Sequence, residues 1–189
     1  LALDPMVNLA AKARYVYGPD AACLLVLRTA AGGGKGYGPT HSQTLEAWFL
    51  HVPGVKIAAP ATAADAKGLL TSAMADGNPV LFLEHKRLYG VAGNVPDGHY
   101  AVPFGKARRV REGADLTLVA WSWMTVEAEA AAVELAARGI QADLLDLRTL
   151  NPLDLDAVVE SVQKTGRLLI VEEGTRSGGV AAEIGFRVF

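Results

Sequence analysis

The segment best equipped for chemistry is a glycine-rich run that ends in a histidine: Gly32-Gly33-Gly34-Lys35-Gly36-Tyr37-Gly38-Pro39-Thr40-His41-Ser42-Gln43. Glycine lets backbone come close to a ligand or another chain, because no Cβ stands in the way. A phosphate cradle of the G-x-x-x-x-G-K-[ST] type needs glycine at position 29 and a hydroxyl residue at 36, but Thr29 and Gly36 stand there. The dinucleotide spacing G-x-G-x-x-G is also missing from the loop. The loop therefore reads as one that admits a cofactor, a partner or another stretch of backbone. Thr40 and Gln43 have capping-box spacing ahead of Leu45, Trp48 and Phe49. That spacing predicts a helix start at Thr40, with His41 as the first helical residue. The positive end of a helix disfavours imidazolium. A neutral imidazole can donate one hydrogen bond and accept another, which suits work on a substrate oxygen or anion. On position alone, a solvated loop histidine remains the leading alternative.

Other groups carry less. His51 precedes Pro53-Gly54 in a turn and reads as structural. His85 ends an apolar run beside Lys86 and Arg87 and reads as a surface or partner contact, while His99 reads as solvent-facing. No two histidines are spaced as ligands on one face, which argues against zinc or iron. Met74-Ala75-Asp76-Gly77-Asn78 closes a helix. Its last carbonyls lack internal partners and can face a cation, though an ordinary helix end is the leading reading. Glu172-Glu173 closes an apolar run and reads as one solvated and one structural carboxylate. Lys106, Arg108, Arg109 and Arg111 read as a solvated strand face. Trp121 and Trp123 flank a strand-to-helix turn and are expected to bury against a neighbouring domain. There is no Gly-x-Ser-x-Gly elbow, which disfavours a serine hydrolase. There is also no Gly-Asp-Gly followed at a distance by Asn, the pattern that holds a magnesium-bound diphosphate.

These groups need a scaffold, and the hydropathy pattern outlines one. Apolar residues recur at helical spacing over Leu3–Tyr17, up to Gly18-Pro19. Cys23–Leu27 is a continuous apolar run, the pattern of a strand buried on both faces of a parallel sheet, and the loop from Ala30 to Pro39 follows. Val55–Ala59 and Val80–Leu83 predict two further strands, with a helix Ala63–Ala75 between them behind Thr62-Ala63-Ala64-Asp65. From Glu84 to Gly105 periodicity fades and Gly90, Gly93, Pro96, Gly98 and Pro103 crowd together, which reads as a linker. Strands at Leu116–Ala120, Ala142–Leu147 and Leu168–Val171 then alternate with helices at Val126–Ala137, from Asn151-Pro152 to Lys164, and from Val180 onward. Proline is tolerated at a first helical position. The expectation is an α/β fold of two parallel sheets with right-handed crossovers, divided as 1–85, linker 86–104 and 105–189. With 51% apolar and 20% charged residues, the 189-residue chain has ample core material, which excludes disorder throughout. A net charge of −2 argues against non-specific nucleic-acid binding and an electrostatic membrane anchor. No apolar stretch is long enough to span a bilayer. The lone Cys23 excludes an internal disulfide and fits a reducing compartment. Both ends read as cut: the chain opens on Leu1-Ala2-Leu3-Asp4 and stops inside a helix.

The run Gly33–Gln43 resembles the active-site loop of the beta subunit of 2-oxoacid dehydrogenases, in the thiamine-diphosphate, transketolase-like superfamily. The resemblance continues, collinear over essentially the whole chain, through Ala64-Asp65-Ala66-Lys67-Gly68-Leu69-Leu70, Asn78-Pro79-Val80, Leu88-Tyr89-Gly90, Arg148-Thr149-Leu150-Asn151-Pro152-Leu153-Asp154 and Val171-Glu172-Glu173-Gly174. It implies that 1–85 is the later part of a pyrimidine-binding domain and 105–189 the early part of a transketolase C-terminal domain. It implies oxidative decarboxylation of a 2-oxoacid on thiamine diphosphate, with acyl transfer to lipoyl groups. The implied partners are an alpha subunit that holds the magnesium, a second beta subunit and a lipoyl-bearing acyltransferase core. Pyruvate is the expected substrate, with acetoin or branched-chain 2-oxoacids as alternatives. His41 matches the family's active-site histidine, which bonds to the intermediate and the lipoyl group. Leu25, Ala73, Met74, Asp76 and Asn78 match positions whose backbone carbonyls bind potassium in some members. The glutamate that activates thiamine is expected upstream of residue 1, and Glu46 and Glu84 are not its counterparts, so the chain alone is expected to be inactive. The resemblance places the protein in the bacterial cytoplasm, or alternatively the mitochondrial matrix. A non-catalytic domain that docks the acyltransferase core is the reading from a different class.

Overall fold

The computed structural model describes residues 2–189. In chain order its elements are a π-helical turn Pro5–Ala10, α1 (Ala13–Tyr17), β1 (Val26–Ala31), α2 (Glu46–Leu50), β2 (Lys56–Ala58), α3 (Ala63–Ala75), β3 (Val80–His85), β4 (Arg108–Arg111), β5 (Leu116–Ala120), α4 (Trp123–Ala137), β6 (Ala142–Asp146), β7 (Thr149–Asn151), α5 (Leu155–Thr165), β8 (Leu168–Val171) and α6 (Val180–Val188). They build two four-stranded sheets, ordered β1-β3-β2-β7 and β4-β6-β5-β8. Each sheet has three parallel strands and one antiparallel edge strand, β7 in the first and β4 in the second.

Local signals explain much of this. The Thr62 hydroxyl accepts from the Asp65 amide and starts α3 where the sequence put it. Gly139, at φ +81, follows the end of α4, a backbone conformation that glycine adopts freely. The antiparallel edge strands β4 and β7 depart from the expected all-parallel sheets, and α2 starts later than its spacing predicts. Two further elements differ from expectation. The first strand is Val26–Ala31, three residues later than the apolar run. It is an edge strand, paired with β3 alone, and Arg28, Thr29 and Ala30 are all exposed, so both of its faces reach solvent there and both-face burial fails. Cys23–Leu25 form the approach, with the Cys23 amide on Gly77 O at 2.9 Å and Leu25 O accepting from the Val80 amide at 2.8 Å. Further on, Asn151 does not open a helix. Pairing with β2 claims it as the end of β7, and its side-chain amide donates to Val55 O at 2.7 Å. The helix begins instead at Leu155, where the Asp154 carboxylate caps Ala157 N.

The two halves share one core. Along β5, Leu118 and Ala120 pack beneath α4, while Val119 and Trp121 point the other way, as the two-residue period of a strand requires. That second face joins Ile57, Leu81 and Leu83 of the first sheet in a cluster that also takes in Leu147, Leu150, Val180 and Ile184.

Buried charge crosses the same seam. The Asp65 carboxylate on α3 takes Thr62 Oγ1 at 2.8 Å, Arg148 Nη2 at 2.8 Å and Arg108 Nε at 3.4 Å. Arg108 also bonds Asp146 at 3.1 Å, and Asp146 accepts from the Arg148 amide at 3.2 Å. Arg148 holds this place at φ +61, a left-handed conformation that an arginine adopts only under constraint. The basic stretch of β4 is therefore only partly a solvated face. Arg108 and Arg109 lie against fully buried Asp146 and Asp143, while Arg109 and neighbouring Lys106 remain exposed. Burial pushes Asp146 up to about 6 despite Arg108.

Arg108→Met removes the charge and keeps the stem. It should destabilise the chain by about 2 kcal/mol, less than the ~3–5 kcal/mol of a fully enclosed pair. Without Arg108 the folded-state value of Asp146 rises further above its unfolded ~3.9. The loss is then small near pH 4 and grows as pH rises through the folded-state value. Denaturant midpoints at pH 5 and pH 8 test this; equal deficits at both would refute it.

Candidate functional site

The loop after β1 lies at the C-terminal edge of a parallel sheet, where open α/β folds place ligands. Gly32 N donates to Gln43 O at 3.1 Å and closes the loop. Within it Pro39–His41 form a single 3₁₀ turn. His41 is exposed, and its carbonyl accepts from Lys86 Nζ. Thr40 caps nothing. Ser42–Leu45 run on as non-helical chain, and α2 begins at Glu46. The expected helix start is displaced because Gln43 and Thr44 are held by partners outside the helix. With it goes the argument that a helix end keeps the His41 ring neutral. Exposure and the sheet edge remain.

Beneath the loop lies His85-Lys86-Arg87. His85 is only 3% exposed, so the surface-contact reading does not hold. Its Nδ1 accepts from the Arg87 amide at 3.2 Å, which assigns the ring proton to Nε2. That Nε2 donates to Glu173 Oε2 at 2.7 Å. The His85 ring stacks near Trp123 with centroids 6.0 Å apart, and the Arg87 guanidinium lies over the same indole at 5.3 Å. Glu173 also accepts from Gly33 N at 3.0 Å and from Thr44 Oγ1 at 3.1 Å. Burial alone would raise this carboxyl, but the bonds from Gly33, His85 and Thr44 outweigh it and hold the group below its ordinary value. Glu172 Oε2 accepts from Ala181 N at 3.4 Å in the first turn of α6, and burial pushes it up. Both carboxylates are half-buried and bonded, so the expected solvated partner of the pair is not found.

One acid was missed in the sequence. Glu46 is 1% exposed, and its Oε1 accepts from Trp121 Nε1 at 3.1 Å across the seam. Its Oε2 has no hydrogen-bond partner. Burial pushes the Glu46 carboxyl up, and nearby Glu172 and Glu173 add to the rise. The available signal was an acid inside the apolar run Leu45–Leu50. Trp121 itself is buried against the first half, as its position suggested.

The five positions matched to potassium gather in one corner. Leu25 runs beside Gly77–Val80, and Ala73, Met74 and Asp76 end α3. Leu25 O and Ala73 O already accept backbone amides, and the Asp76 carboxylate takes Asn78 Nδ2 at 2.8 Å together with the Lys56 ammonium.

Two fused, mostly parallel sheets with a glycine loop at a sheet edge are the architecture of a transketolase-like protein. Residues 4–91 match the transketolase pyrimidine-binding domain and residues 105–188 the transketolase C-terminal domain, so the chain belongs to this family. It is 46% identical over 98% of its length to the acetoin:2,6-dichlorophenolindophenol oxidoreductase beta subunit of Cupriavidus necator, covering 55% of that protein. It is 46% identical over 99% of its length to the pyruvate dehydrogenase E1 component beta subunit of Rhizobium meliloti, covering 41% of it. The 2-oxoisovalerate dehydrogenase beta subunit of Bacillus subtilis is 44% identical over 97% of this chain, which covers 56% of that subunit. The chain thus spans about half the length of the curated relatives it matches. Among solved structures, a split-gene transketolase described as an inactive beta4 tetramer superposes with a TM-score of 0.74 at 26% identity, over 88% of this chain and 55% of that one.

Glu46→Gln keeps an acceptor for Trp121 and removes the charge. The folded state raises this carboxyl above its unfolded ~4.3, so the wild-type side chain loses stability as pH climbs through the folded-state value. The variant should melt higher than the parent at pH 8 and match it near pH 4. Thermal melts at both pH values check this, and a variant that melts lower at pH 8 would contradict it.

Proposed function

We propose that this chain is part of the beta subunit of a 2-oxoacid dehydrogenase, which decarboxylates a 2-oxoacid and passes the acyl group to lipoyl groups. The observation that carries the reading is His41, exposed at the sheet edge on a loop whose stems are hydrogen-bonded to the second half. Its role is to hydrogen-bond the acyl oxygen and the lipoyl group as the acyl unit changes carrier. When bound, thiamine diphosphate supplies the carbon nucleophile and the sink for the electron pair left by departing carbon dioxide. The acids near the loop do not fit as its activating carboxylate. Glu46 is enclosed, Glu84 is paired with Arg28 and Tyr89, Glu172 caps α6, and Glu173 holds the loop. No step is therefore assigned to them. Under this reading an alpha subunit contributes the diphosphate and magnesium site, a second beta subunit completes the assembly, and a lipoyl-bearing acyltransferase core receives the acyl group.

Pyruvate is the preferred substrate. Acetoin and branched-chain 2-oxoacids stand close behind, because relatives of all three kinds are almost equally similar. The working division remains 1–85, 86–104 and 105–189, and the compartment is the bacterial cytoplasm or the mitochondrial matrix. Among the described residues, no helix is long and apolar enough to cross a membrane. Potassium would be held by the carbonyls of Leu25, Ala73, Met74, Asp76 and Asn78.

The intact subunit, assembled with its alpha partner, should turn over one 2-oxoacid of a panel in a thiamine-dependent manner. Silence across the panel would favour the docking-only reading. His41→Ala should slow lipoyl acylation by about a hundredfold or more and decarboxylation far less. Equal loss of both rates rejects the role given to His41. Potassium should raise the melting temperature relative to sodium at equal ionic strength, and identical melts would remove the ion from the proposal.

A further inference from the structure

We propose that Glu173 is a positioning residue for the His41 loop, a carboxylate from the second half of the chain that fixes both stems of a loop in the first. The proposal builds on the reading of His41 as an acyl-transfer residue.

The loop closes at the backbone bond from Gly32 N to Gln43 O. Glu173 grips the residue after that bond on each stem of the loop, Gly33 just inside the closure and Thr44 just outside it. Its Oε1 takes Gly33 N at 3.0 Å, and its Oε2 takes Thr44 Oγ1 at 3.1 Å. Hydrogen bonds to an ionised carboxylate are stronger and shorter than neutral ones, and here one rigid group at the end of β8 receives one from each stem. His85 Nε2 makes the third bond, at 2.7 Å, and fixes the carboxylate's rotation. His85 is fixed in turn by the Arg87 amide on its Nδ1 and by close packing under Gly32, where a Cβ would overlap the imidazole.

The next two residues after His85 continue the grip. Lys86 Nζ donates to His41 O, and its ammonium lies 5.5 Å from the Tyr37 ring centroid. Arg87 Nη2 donates to Gly34 O at 3.3 Å. The loop therefore rests on β3 below and is tied to β8 at its stems. Its position follows the seam between the halves, so a shift of β8 carries the stems, and His41 between them, along with it.

The test uses the intact subunit assembled with its partner, with Glu173→Ala, Glu173→Gln and His41→Ala. Hydrogen exchange over 33–44 reads the clamp, and the ratio of lipoyl acylation to decarboxylation reads its consequence. In Glu173→Ala, exchange over 33–44 should quicken by about tenfold, and the ratio should fall by about tenfold, the scale of one charge-assisted hydrogen bond. Glu173→Gln keeps the shape but has one acceptor oxygen, so it should fall between the parent and Glu173→Ala on both readouts. If the alanine variant does not assemble, the glutamine variant and Thr44→Val carry the test, since the first loses at least one of the three Glu173 bonds and the second loses a stem bond. Unchanged exchange over 33–44 overturns the clamp. A glutamine variant equal to the parent on both readouts also overturns it, because packing alone would then suffice. Quickened exchange with an unchanged ratio overturns the positioning role. A silent His41→Ala overturns the acyl-transfer reading by itself and leaves the exchange result to decide the clamp.

Discussion

A carboxylate taken out of water costs several kcal/mol unless partners come with it, and this molecule buries several where its two halves meet. Asp65 belongs to the first half, while two of its partners, Arg108 and Arg148, belong to the second. Glu46 lies in the first half and its one donor, Trp121, in the second. Glu173 lies in the second and bonds Gly33, Thr44 and His85 of the first. Separating the halves would leave each acid short of an ion-pair or hydrogen-bond partner. The shared apolar cluster and the pairing of β7 with β2 work in the same direction. The relative placement of the sheets is thus fixed by desolvation as well as by apolar contact.

That constraint reaches the candidate site. The histidine loop has few apolar contacts of its own, and its sequence is mostly residues with little side chain to pack. Such a segment would normally sample many conformations. Here its stems are bonded by a carboxylate whose own position depends on β8 and its neighbours in the second sheet. The order of the loop is therefore drawn from the seam.

Much of the architecture was legible because it is encoded locally. The cap at Thr62, the glycine after α4 and the apolar runs at 116–120 and 168–171 each specify their element without help from distant residues. The misreadings share one cause, which is partners far away in sequence. Thr40 and Gln43 have capping-box spacing, yet contacts with Gly32 and Glu173 hold 43–44 out of the helix. Asn151-Pro152 looks like a helix start, yet β2 claims Asn151. Arg108 and Arg109 look solvated until the buried aspartates opposite them are placed. In the candidate site, His41 is proposed from its motif. The contacts of His85, Glu46 and Glu173 were not legible, because nothing local indicates that a strand-end histidine meets an acid 88 residues on.

The glycines of the loop take on a different meaning in this light. From sequence alone they invite a reading in terms of ligand access. Two of them answer to side chains beneath: a Cβ on Gly32 would overlap His85, and one on Gly34 would overlap Arg87. Gly36 and Gly38 meet no atoms within 4 Å, but they sit at φ +75 and +76, where other residues are strained. Gly32 and Gly34 also sit at φ +88 and +77, so the inner glycines answer to both packing and turning, and the outer ones to turning alone. Only the outer part leaves open space, and it leads directly into Pro39–His41. Open space therefore lies on the histidine side of the loop, while the side that looks most like a phosphate cradle in the sequence is already filled by His85 and Arg87.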